Sequence, residues 1–386
     1  MLASNHFDFI IIGTGCAGLS LAVKMIESGA FTHRKILLLD REQKKRNDRT
    51  WCFWENKPGH FESILHHRWD NLSVNHPAGK IPLNIAPYSY KMIRGADFYR
   101  YCFDVITKAE NVTVVYGEVT KVDAAAGTVT ANETTYTATQ IFSSVLMDMP
   151  QLAAHQFYLL QHFKGWWIET DTDFFDPSAA DLMNFNTSQQ NGCTFVYVLP
   201  VSRRKALIEY TLFSESILED ILYDDGLKIF SSDQLQLTNY TITETEKGVI
   251  PMTNLQFPKQ EGKVFFIGTA GGQTKASTGY TFQFIQRQTA DIVAQLQKGS
   301  MVIMPSVPSR FGFYDSVLLR VLHERKLSGA DVFYHMFQKN KASKILRFLD
   351  NDSSFFEEIV IMNNTRKMIF IPAAIKELGA IFKGSM

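Results

Sequence analysis

Short apolar runs and helical spacing alternate at the start of the chain. Residues 7–12 (FDFIII) and 35–40 (KILLLD) are brief, apolar and bounded by glycine or charged residues, which is typical of buried strands. Between them, apolar residues of the segment 16–29 recur at helical intervals, and Gly29 ends the pattern. This order predicts a βαβ unit at the N-terminal end.

The later segments predict a second sheet and a helical end. A helix is predicted over residues 93–109 and a β-meander over residues 112–144. FKGWWIETD, CTFVYVLPVS and KALIEYTLF are dense in β-branched and aromatic residues, which favours strands of a second sheet. KVFFIGTAGG then repeats the strand-then-glycine pattern, TGYTFQFIQRQTADIVAQLQ has helical spacing, and the chain beyond residue 308 is mostly helical in pattern.

A glycine-rich turn joins the first predicted strand to the first predicted helix. Gly13, Gly15 and Gly18 form the pattern G-x-G-x-x-G, which permits a tight turn, close approach of a pyrophosphate and close helix–strand packing. Asp40 ends the second strand, where its carboxylate can accept hydrogen bonds from ribose hydroxyls. The turn predicts a dinucleotide site. A glycine turn without a nucleotide, and a solvated strand end at Asp40, are the plainer alternatives.

The interruption of this unit indicates which dinucleotide it binds. A nicotinamide-binding domain usually continues as βαβαβ, whereas the second strand here is followed by a basic loop, aromatic residues and irregular sequence. KVFFIGTAGG returns late, as a strand of the same sheet would, and this favours FAD. The predicted fold is mixed α/β (α+β): a Rossmann-like FAD-binding fold interrupted by a β-sheet substrate domain and followed by a helical C-terminal region.

The predicted division of the chain follows composition and short proline-containing junctions. In chain order, the segments are 1–76 (the first FAD-binding segment, with the glycine-rich βαβ unit), 77–150 (the second FAD-binding segment, with a helix and the β-meander), 151–250 (an antiparallel substrate sheet), 251–305 (the third FAD-binding segment) and 306–386 (a helical region, candidate for membrane contact).

Composition limits the class of protein. The chain has 386 residues and is 45% hydrophobic, so it can bury a large core in one large domain or two ordinary ones. Its 30 phenylalanines predict either a large core or an apolar pocket. Basic and acidic residues balance at 39 each, which argues against a nucleic-acid partner. The cysteines lack metal-ligand spacing and are predicted to be reduced thiols of a cytosolic protein: Cys16, Cys52, Cys102 and Cys193.

Residues 48–55 (DRTWCFWE) place much aromatic surface beside charged residues. Together with the tryptophans of FKGWWIETD, they supply candidates for the wall of an apolar ligand site: Trp51, Phe53, Trp54, Trp166 and Trp167. Packing in the core is the alternative for each of them. Arg49 precedes the first tryptophan and either approaches the cofactor or lies on the surface.

A resemblance to a known family is carried by several segments, which occur in the family's order. They are FDFIIIGTGCAGLSLA, DRTWCFWE, FVYVLPVSRRKALIEYTLFS, KGVIPM and IGTAGGQTKASTGYTFQFIQRQ, with weaker matches in FYDSVLLRVL, ILRFLD and IPAAIKELG. Together they resemble the bacterial lycopene β-cyclases, which are FAD-dependent lycopene cyclases within the group of flavoproteins built like aromatic hydroxylases and geranylgeranyl reductases. The likeness covers nearly the whole chain.

The resemblance implies a redox-neutral cyclisation. An acid protonates a terminal double bond of lycopene, the neighbouring double bond closes a six-membered ring on the tertiary cation, and loss of a ring proton gives a β-ionone ring. Reaction at both ends gives γ-carotene and then β-carotene. The family needs FAD in its reduced form, usually with NAD(P)H as the electron donor. The reduced flavin either supplies charge beside the cation or acts as the acid itself.

The resemblance also implies which residues do this chemistry. Glu209 in ALIEYT matches the family's essential acid, and apolar neighbours that include Tyr210 would raise its pKa and keep it protonated. Strand alternation leaves the alternative that Glu209 faces solvent. The aromatic wall would attract the cation by cation–π interaction, worth up to ~2 kcal/mol in a dry site, and would exclude water.

A second flavin-binding segment is implied by IGTAGGQTKASTGY. Its matching residues are Gly268 and Gly271 of the late glycine motif, and Thr278 and Gly279 of the loop beside the isoalloxazine. Thr269 stands where related flavoproteins have aspartate, which leaves that contact open. Lys275 and Ala276 replace the His-Pro pair that often precedes this loop, so no histidine is assigned a role.

Membrane contact follows from the implied substrate, because lycopene resides in bilayers. No apolar run approaches the roughly 18–20 residues that span a bilayer, and no signal peptide is predicted. We therefore expect a cytoplasmic protein, peripheral on the inner face of the cell membrane. IFIPAAIKELGAIF predicts an amphipathic helix, which either lies on the membrane or packs on the core. Its apolar stripe and nearby lysines are Ile371, Ile375, Leu378, Phe382, Lys376 and Lys383.

Other functions fit the same scaffold. A flavin monooxygenase or an isoprenoid reductase would change the redox state of the flavin in every turnover, whereas a cyclase would not. A non-catalytic carrier of carotenoid or flavin is an alternative of another class, but a carrier needs no buried acid.

Overall fold

The computed structural model describes residues 5–148, 150–153 and 155–384, with side chains as far as residue 380. The strands, in chain order, are β1 (His6–Ile12), β2 (Ile36–Asp40), β3 (Thr50–Glu55), β4 (His67–Trp69), β5 (Asn71–His76), β6 (Gly79–Asn84), β7 (Ser89–Arg94), β8 (Val112–Tyr116), β9 (Val119–Asp123), β10 (Thr128–Ala131), β11 (Thr134–Ser143), β12 (Tyr158–Glu169), β13 (Ala179–Asn184), β14 (Cys193–Pro200), β15 (Lys205–Ser214), β16 (Thr241–Thr253), β17 (Gln260–Glu261) and β18 (Val264–Phe266). The α-helices are α1 (Cys16–Glu27), α2 (Gly95–Ile106), α3 (Asp220–Asp233), α4 (Phe282–Gln297), α5 (Ser309–His323), α6 (Gly329–Lys339), α7 (Ala342–Leu349), α8 (Phe355–Asn363) and α9 (Lys367–Gly384).

The first sheet has a parallel centre. Its strand order is β17-β18-β11-β1-β2-β8, and β10 and β9 extend it from β11. β1 runs parallel to β2 and β11, β2 to β8, and β11 to β18. Helices α1, α2 and α4 cover one face of this centre, and side chains of β9 and β10 cover the other. Residues 9–12 and 36–39 are therefore all buried, which explains their continuous apolar sequence. The predicted βαβ unit and the late return of the chain to the same sheet are confirmed.

The second sheet is mostly antiparallel and has the order β16-β12-β15-β14-β13-β5-β6. One face packs against α3, and the other packs against side chains of α6 and α7. Because both faces are covered, every residue of β14 is buried. A small third sheet, β3-β7-β4, carries the aromatic stretch of residues 50–55.

The structure corrects several predicted boundaries. The division at 76/77 falls inside the β5–β6 hairpin, whose strands belong to the second sheet, and the division at 250/251 falls inside β16. The predicted helix at 93–109 begins at Gly95, because the preceding residues form β7. The predicted meander holds for β9, β10 and β11, whereas β8 pairs with β2 at the opposite edge of the first sheet.

The chain beyond α4 is helical, as the sequence pattern predicts. Helices α5 to α9 occupy it. Within the described ranges of the chain, no helix combines the length and apolar character that a transmembrane span requires. The four cysteines are free thiols, and burial raises the pKa of the Cys16 thiol to about 12.

Candidate active site

The glycine turn between β1 and α1 has the close contacts that its pattern requires. A Cβ on Gly18 would lie 1.9 Å from the carbonyl oxygen of Gly13, which itself has a φ of +92°. A Cβ on Gly15, in contrast, would meet no atom within 4 Å. Free space therefore lies in front of the N-terminus of α1, where no described side chain caps the backbone N–H groups. Such a helix end is suited to bind phosphate.

Asp40 holds the glycine turn from the end of β2. Its Oδ2 accepts hydrogen bonds from the Thr14 backbone N–H at 2.5 Å and from the Thr14 hydroxyl at 2.7 Å. Its Oδ1 accepts from the Glu42 N–H at 3.2 Å. The carboxylate is thus fixed at the carboxyl edge of the parallel sheet, and its contact with a ribose stays a prediction.

The late glycine segment packs directly on the start of α1. A Cβ on Gly268 would lie 2.7 Å from the Cβ of Ala17, and a Cβ on Gly271 would lie 2.2 Å from the carbonyl oxygen of Phe266. The Gly268 N–H donates to Gln288 Oε1 at 2.8 Å. The two segments that were assigned to the flavin therefore meet at one edge of the first sheet.

A cavity of about 300 Å³ adjoins this edge and the second sheet. It brings together residues that the sequence analysis assigned separately: Glu209, Arg49, Trp51, Thr278 and Gly279. Its further aromatic walls are Tyr90, Phe163, Tyr197, Tyr280 and Phe282. An aromatic cavity with a few convergent polar groups is typical of small-molecule sites. Arg49 lies at its edge, where its half-exposed guanidinium pairs with Asp48 at 3.0 Å.

Two of the predicted wall aromatics lie one layer behind the cavity. Phe53 stacks on Phe282 with ring centroids 4.4 Å apart, and Trp54 meets Tyr280 edge-on at 4.4 Å. Both are buried core residues that support side chains of the wall. Within the aromatic stretch, Trp51 therefore lines the cavity, and Phe53 and Trp54 pack behind the lining.

Strand alternation removes Trp166 and Tyr210, two residues predicted near Glu209, from the cavity, and Trp167 lies on the cavity side of the sheet but outside the lining. Trp166 and Tyr210 lie on the face of the second sheet that α3 covers, so their predicted place in the pocket is corrected to the core beneath that helix. Trp167 points to the opposite face and is fully buried, with the Arg94 guanidinium 5.2 Å from its ring centroid. It lies outside the cavity lining.

The same alternation points Glu209 into the cavity, together with Leu207. The Thr211 hydroxyl donates to Glu209 Oε1 at 2.9 Å. Glu209 lies deep in the molecule and keeps some accessible surface because it lines the cavity. Of the two orientations that the sequence left open, the structure has the inward one.

A second carboxyl, which the sequence analysis did not identify, lies beside Glu209. Glu246 of β16 is 4% exposed, and its Oε2 accepts from the Thr50 hydroxyl at 2.6 Å. Gly165 of β12 pairs with both glutamates, one on each neighbouring strand. The available signal was its position directly before KGVIPM, a segment that carries the family resemblance.

Burial controls the protonation of this carboxyl pair. Burial first, and the charge of Glu246 second, raise the pKa of Glu209 well above its usual range. Burial also raises the pKa of Glu246, but the hydrogen bond from Thr50 and the charge of Arg94 oppose that rise. Of the two carboxyls, Glu209 therefore holds its proton more tightly.

Polar atoms without partners face the same cavity. Two of them find no hydrogen-bond partner within the described ranges: Gln161 Oε1 and Thr278 Oγ1. Buried polar atoms are normally paired, so these atoms are suited to meet the polar edge of a bound ring system. The loop at Gly279 approaches closely, since a Cβ there would lie 2.1 Å from Gln161 Oε1.

The fold and this site define a class of protein. Solved structures that share the fold include a geranylgeranyl bacteriochlorophyll reductase-like protein from Thermoplasma acidophilum (13% identity, TM-score 0.61, covering 97% of this chain and 99% of that one). They also include a flavoprotein/dehydrogenase from Cytophaga hutchinsonii (11% identity, TM-score 0.65, covering 97% and 100%). A flavin-dependent brominase matches at 13% identity and a TM-score of 0.61, covering 90% and 94%. The chain has the fold of these flavoproteins.

Sequence comparison identifies the family within that class. The family model described as "Lycopene cyclase protein" matches residues 8–374, so the chain belongs to the lycopene cyclase family. A lycopene beta-cyclase of Pantoea ananas is 24% identical over 72% of this chain and 71% of that protein. A lycopene beta-cyclase of a Paracoccus species is 31% identical over 35% of this chain and 36% of that protein.

Proposed function

We propose that this protein is an FAD-dependent lycopene β-cyclase, an intramolecular lyase or isomerase that converts lycopene to γ-carotene and then β-carotene without net redox change. The observation that carries the proposal is the position of the Glu209 carboxyl inside an aromatic cavity, next to the loop of Thr278 and Gly279, where burial raises its pKa well above the usual range. The family membership and the relatives named lycopene beta-cyclase support it.

The proposed reaction uses Glu209 as the general acid. Its carboxyl O–H gives a proton to the terminal double bond of lycopene, which leaves a tertiary cation. The π electrons of the neighbouring double bond form the new carbon–carbon bond of a six-membered ring and move the positive charge into it. Loss of one ring proton restores neutrality and forms the ring double bond. One proton enters and one leaves, so the product is an isomer of the substrate.

The cavity wall protects the cation from water. Trp51, Phe163 and Tyr197 place aromatic rings around Glu209, and aromatic faces attract a cation without a nucleophile that could trap it. The tyrosine hydroxyls are held as neutral phenols, because burial raises the pKa of Tyr280 to about 12 and that of Tyr197 well above its usual range. A dry wall of this kind strengthens each electrostatic contact inside it.

The described residues fit FAD on three observations. The open space at Gly15 and the uncapped start of α1 suit the pyrophosphate, and we assign Asp40, at the end of β2, to the adenosine ribose. The unpartnered atoms of Gln161 and Thr278 suit the edge of the isoalloxazine. When bound in its reduced form, with NAD(P)H as the electron donor, FAD would supply negative charge beside the cavity. Arg49 would lie near it as a counter-charge.

An anaerobic assay tests the proposed function. Purified protein is given lycopene in lipid vesicles and either oxidised or chemically reduced FAD, while products are separated and flavin absorbance is followed. We expect β-carotene with reduced FAD and an unchanged amount of reduced flavin. Flavin oxidation in step with loss of substrate would instead identify a reductase or monooxygenase. Bound pigment that stays acyclic would identify a carrier.

Membrane contact is proposed for α8 and α9. The predicted stripe on α9 is not packed on the core, since Ile371 is 53% exposed and Ile375 is 63% exposed. Met368 is 92% exposed, and α8 adds an exposed apolar side chain at Phe356. Exposed apolar surface of this extent marks an interaction site. Basic neighbours suited to anionic lipid are Arg366, Lys367 and Lys376. The side chains of Phe382 and Lys383 lie outside the described residues.

Replacement of Ile371 and Ile375 together by aspartate should weaken binding to anionic lipid vesicles at least about tenfold. A fully buried isoleucine contributes roughly 1.5–3 kcal/mol, and about 1.4 kcal/mol corresponds to tenfold in affinity. Vesicle sedimentation measures the effect. Ile229→Asp on α3 is a matched control, because Ile229 is 59% exposed on another helix. Equal losses in both variants would contradict the assignment of this face.

A further inference from the structure

Gly165 creates a gap in the second sheet over which two carboxyl side chains approach each other. It pairs with Glu209 on one side and with Glu246 on the other. A Cβ at Gly165 would lie 3.1 Å from Cγ of Glu246 and 3.6 Å from Cβ of Glu209. Side chains at paired positions share one face of a sheet, so the stems of both glutamates, together with Leu207 Cδ1 at 3.0 Å, surround the position that a Cβ of residue 165 would take.

The two carboxyls of the pair have different surroundings. Glu246 accepts a hydrogen bond from the hydroxyl of Thr50 on β3 and is close enough to Arg94 on β7 to feel its positive charge. Glu209 accepts a hydrogen bond from the hydroxyl of Thr211 on its own strand, and its side chain lines the cavity. The other titratable groups that face the pair are Cys52 of β3, Tyr197 of β14 and Tyr280 of the late loop. Burial raises the pKa of each of these three, so all are neutral.

We infer that Glu246 is a positioning residue of the cyclase, which carries the negative charge of a two-carboxyl pair and thereby keeps the proton on Glu209, and that Gly165 is the residue that lets the pair form. The inference rests on the proposed function only for its catalytic consequence. A carboxylate beside a second carboxyl opposes ionisation of that carboxyl, as two like charges in one dry site repel.

The pair also closes the proton balance of the reaction. When Glu209 donates its proton to the substrate, two carboxylates face each other across Gly165. Their repulsion favours the return of one proton to the pair, and one proton is released from each ring that closes. Each turnover therefore begins and ends with one proton and one negative charge on the pair.

The pH profile of Glu246→Gln tests the inference. Wild-type cyclisation should decline at alkaline pH as Glu209 ionises. Removal of the Glu246 charge should move that decline to lower pH by about one unit, whereas Glu246→Asp should move it back toward the wild type. Glu169→Gln is the control, as Glu169 is an exposed carboxyl on β12. Superimposable profiles of wild type and Glu246→Gln would overturn the inference.

Thermal unfolding gives a readout that needs no substrate. Because the folded state raises the pKa of Glu209, it binds more protons than the unfolded chain above the unfolded pKa of about 4.3, and the free energy of unfolding falls as pH rises. The Glu209 part of this decline ends at the folded pKa of Glu209, so in Glu246→Gln it should end at lower pH. Gly165→Ala should act in the same direction by separating the pair. An unchanged pH dependence of stability in both variants would overturn the inference, even if the protein proves not to be a cyclase.

Discussion

Replacement of Glu209 by glutamine should lower the rate of lycopene cyclisation about a thousandfold, within the range of about 10²–10⁴ that general acids contribute. Glutamine matches the size of a protonated glutamic acid and keeps an oxygen that can accept the hydrogen bond of the Thr211 hydroxyl. In the wild-type protein this hydroxyl donates to Glu209 Oε1 at 2.9 Å. It has no acidic proton to give to a double bond. Product formation in the anaerobic vesicle assay measures the effect.

The fold should survive this substitution. Glutamine cannot ionise, so the variant should lose the share of the alkaline decline in stability that Glu209 causes. FAD affinity should stay within about twofold of the wild type, since the glycine turn and Asp40 are untouched. Glu169→Gln controls for the loss of an exposed carboxyl elsewhere in the second sheet. A Glu209→Gln protein that cyclises lycopene at the wild-type rate would remove Glu209 as the acid.

Replacement of Gly15 by valine should lower the affinity for FAD at least about 100-fold, which corresponds to about 2.8 kcal/mol. Its side chain would enter the free space in front of α1, where a Cβ meets no protein atom within 4 Å. The backbone of Gly15 is extended, with φ at −85° and ψ at −163°, which a β-branched residue adopts without strain. The folded apoprotein should therefore form, while the pyrophosphate is displaced.

Titration of apoprotein with FAD by flavin fluorescence measures this affinity, and thermal unfolding of the apoprotein separates binding from folding. Gly312→Val is a matched control, because a Cβ at Gly312 in α5 also meets no atom within 4 Å. It should leave FAD affinity unchanged. Equal affinities of the Gly15→Val and wild-type proteins would show that the phosphates bind elsewhere.

Short sequence patterns were sufficient to predict the glycine turn and the parallel strands of the first sheet. The spacing of Gly13, Gly15 and Gly18 describes contacts within one turn and its flanking elements, and such contacts depend on few residues. The parallel strands are buried on both faces, so their sequences are plainly apolar. The late strand β18 was also predictable, because its own strand-then-glycine pattern repeats that of the N-terminus.

The second sheet was harder to predict because both of its faces are buried. On such strands apolar residues occur at every position, so period-two alternation does not show which side faces the ligand. Trp166 and Trp167 are adjacent residues of the same type, so the sequence does not distinguish them, yet their side chains lie on opposite faces of the sheet. Tyr210 follows Glu209 directly and for the same reason points away from it.

The family, the glycine turn and Glu209 as the candidate acid could all be established from the amino-acid sequence, since each of these depends on short continuous segments. Which aromatic residues reach the cavity, and which carboxyl accompanies Glu209, depended on how distant segments pack together. Glu246 lies on another strand, and the two side chains meet because β12 passes between their strands with a glycine at the crossing. The pKa of Glu209 depends on the approach of Glu246 and on burial, and both depend on the tertiary structure rather than on any single segment of the chain.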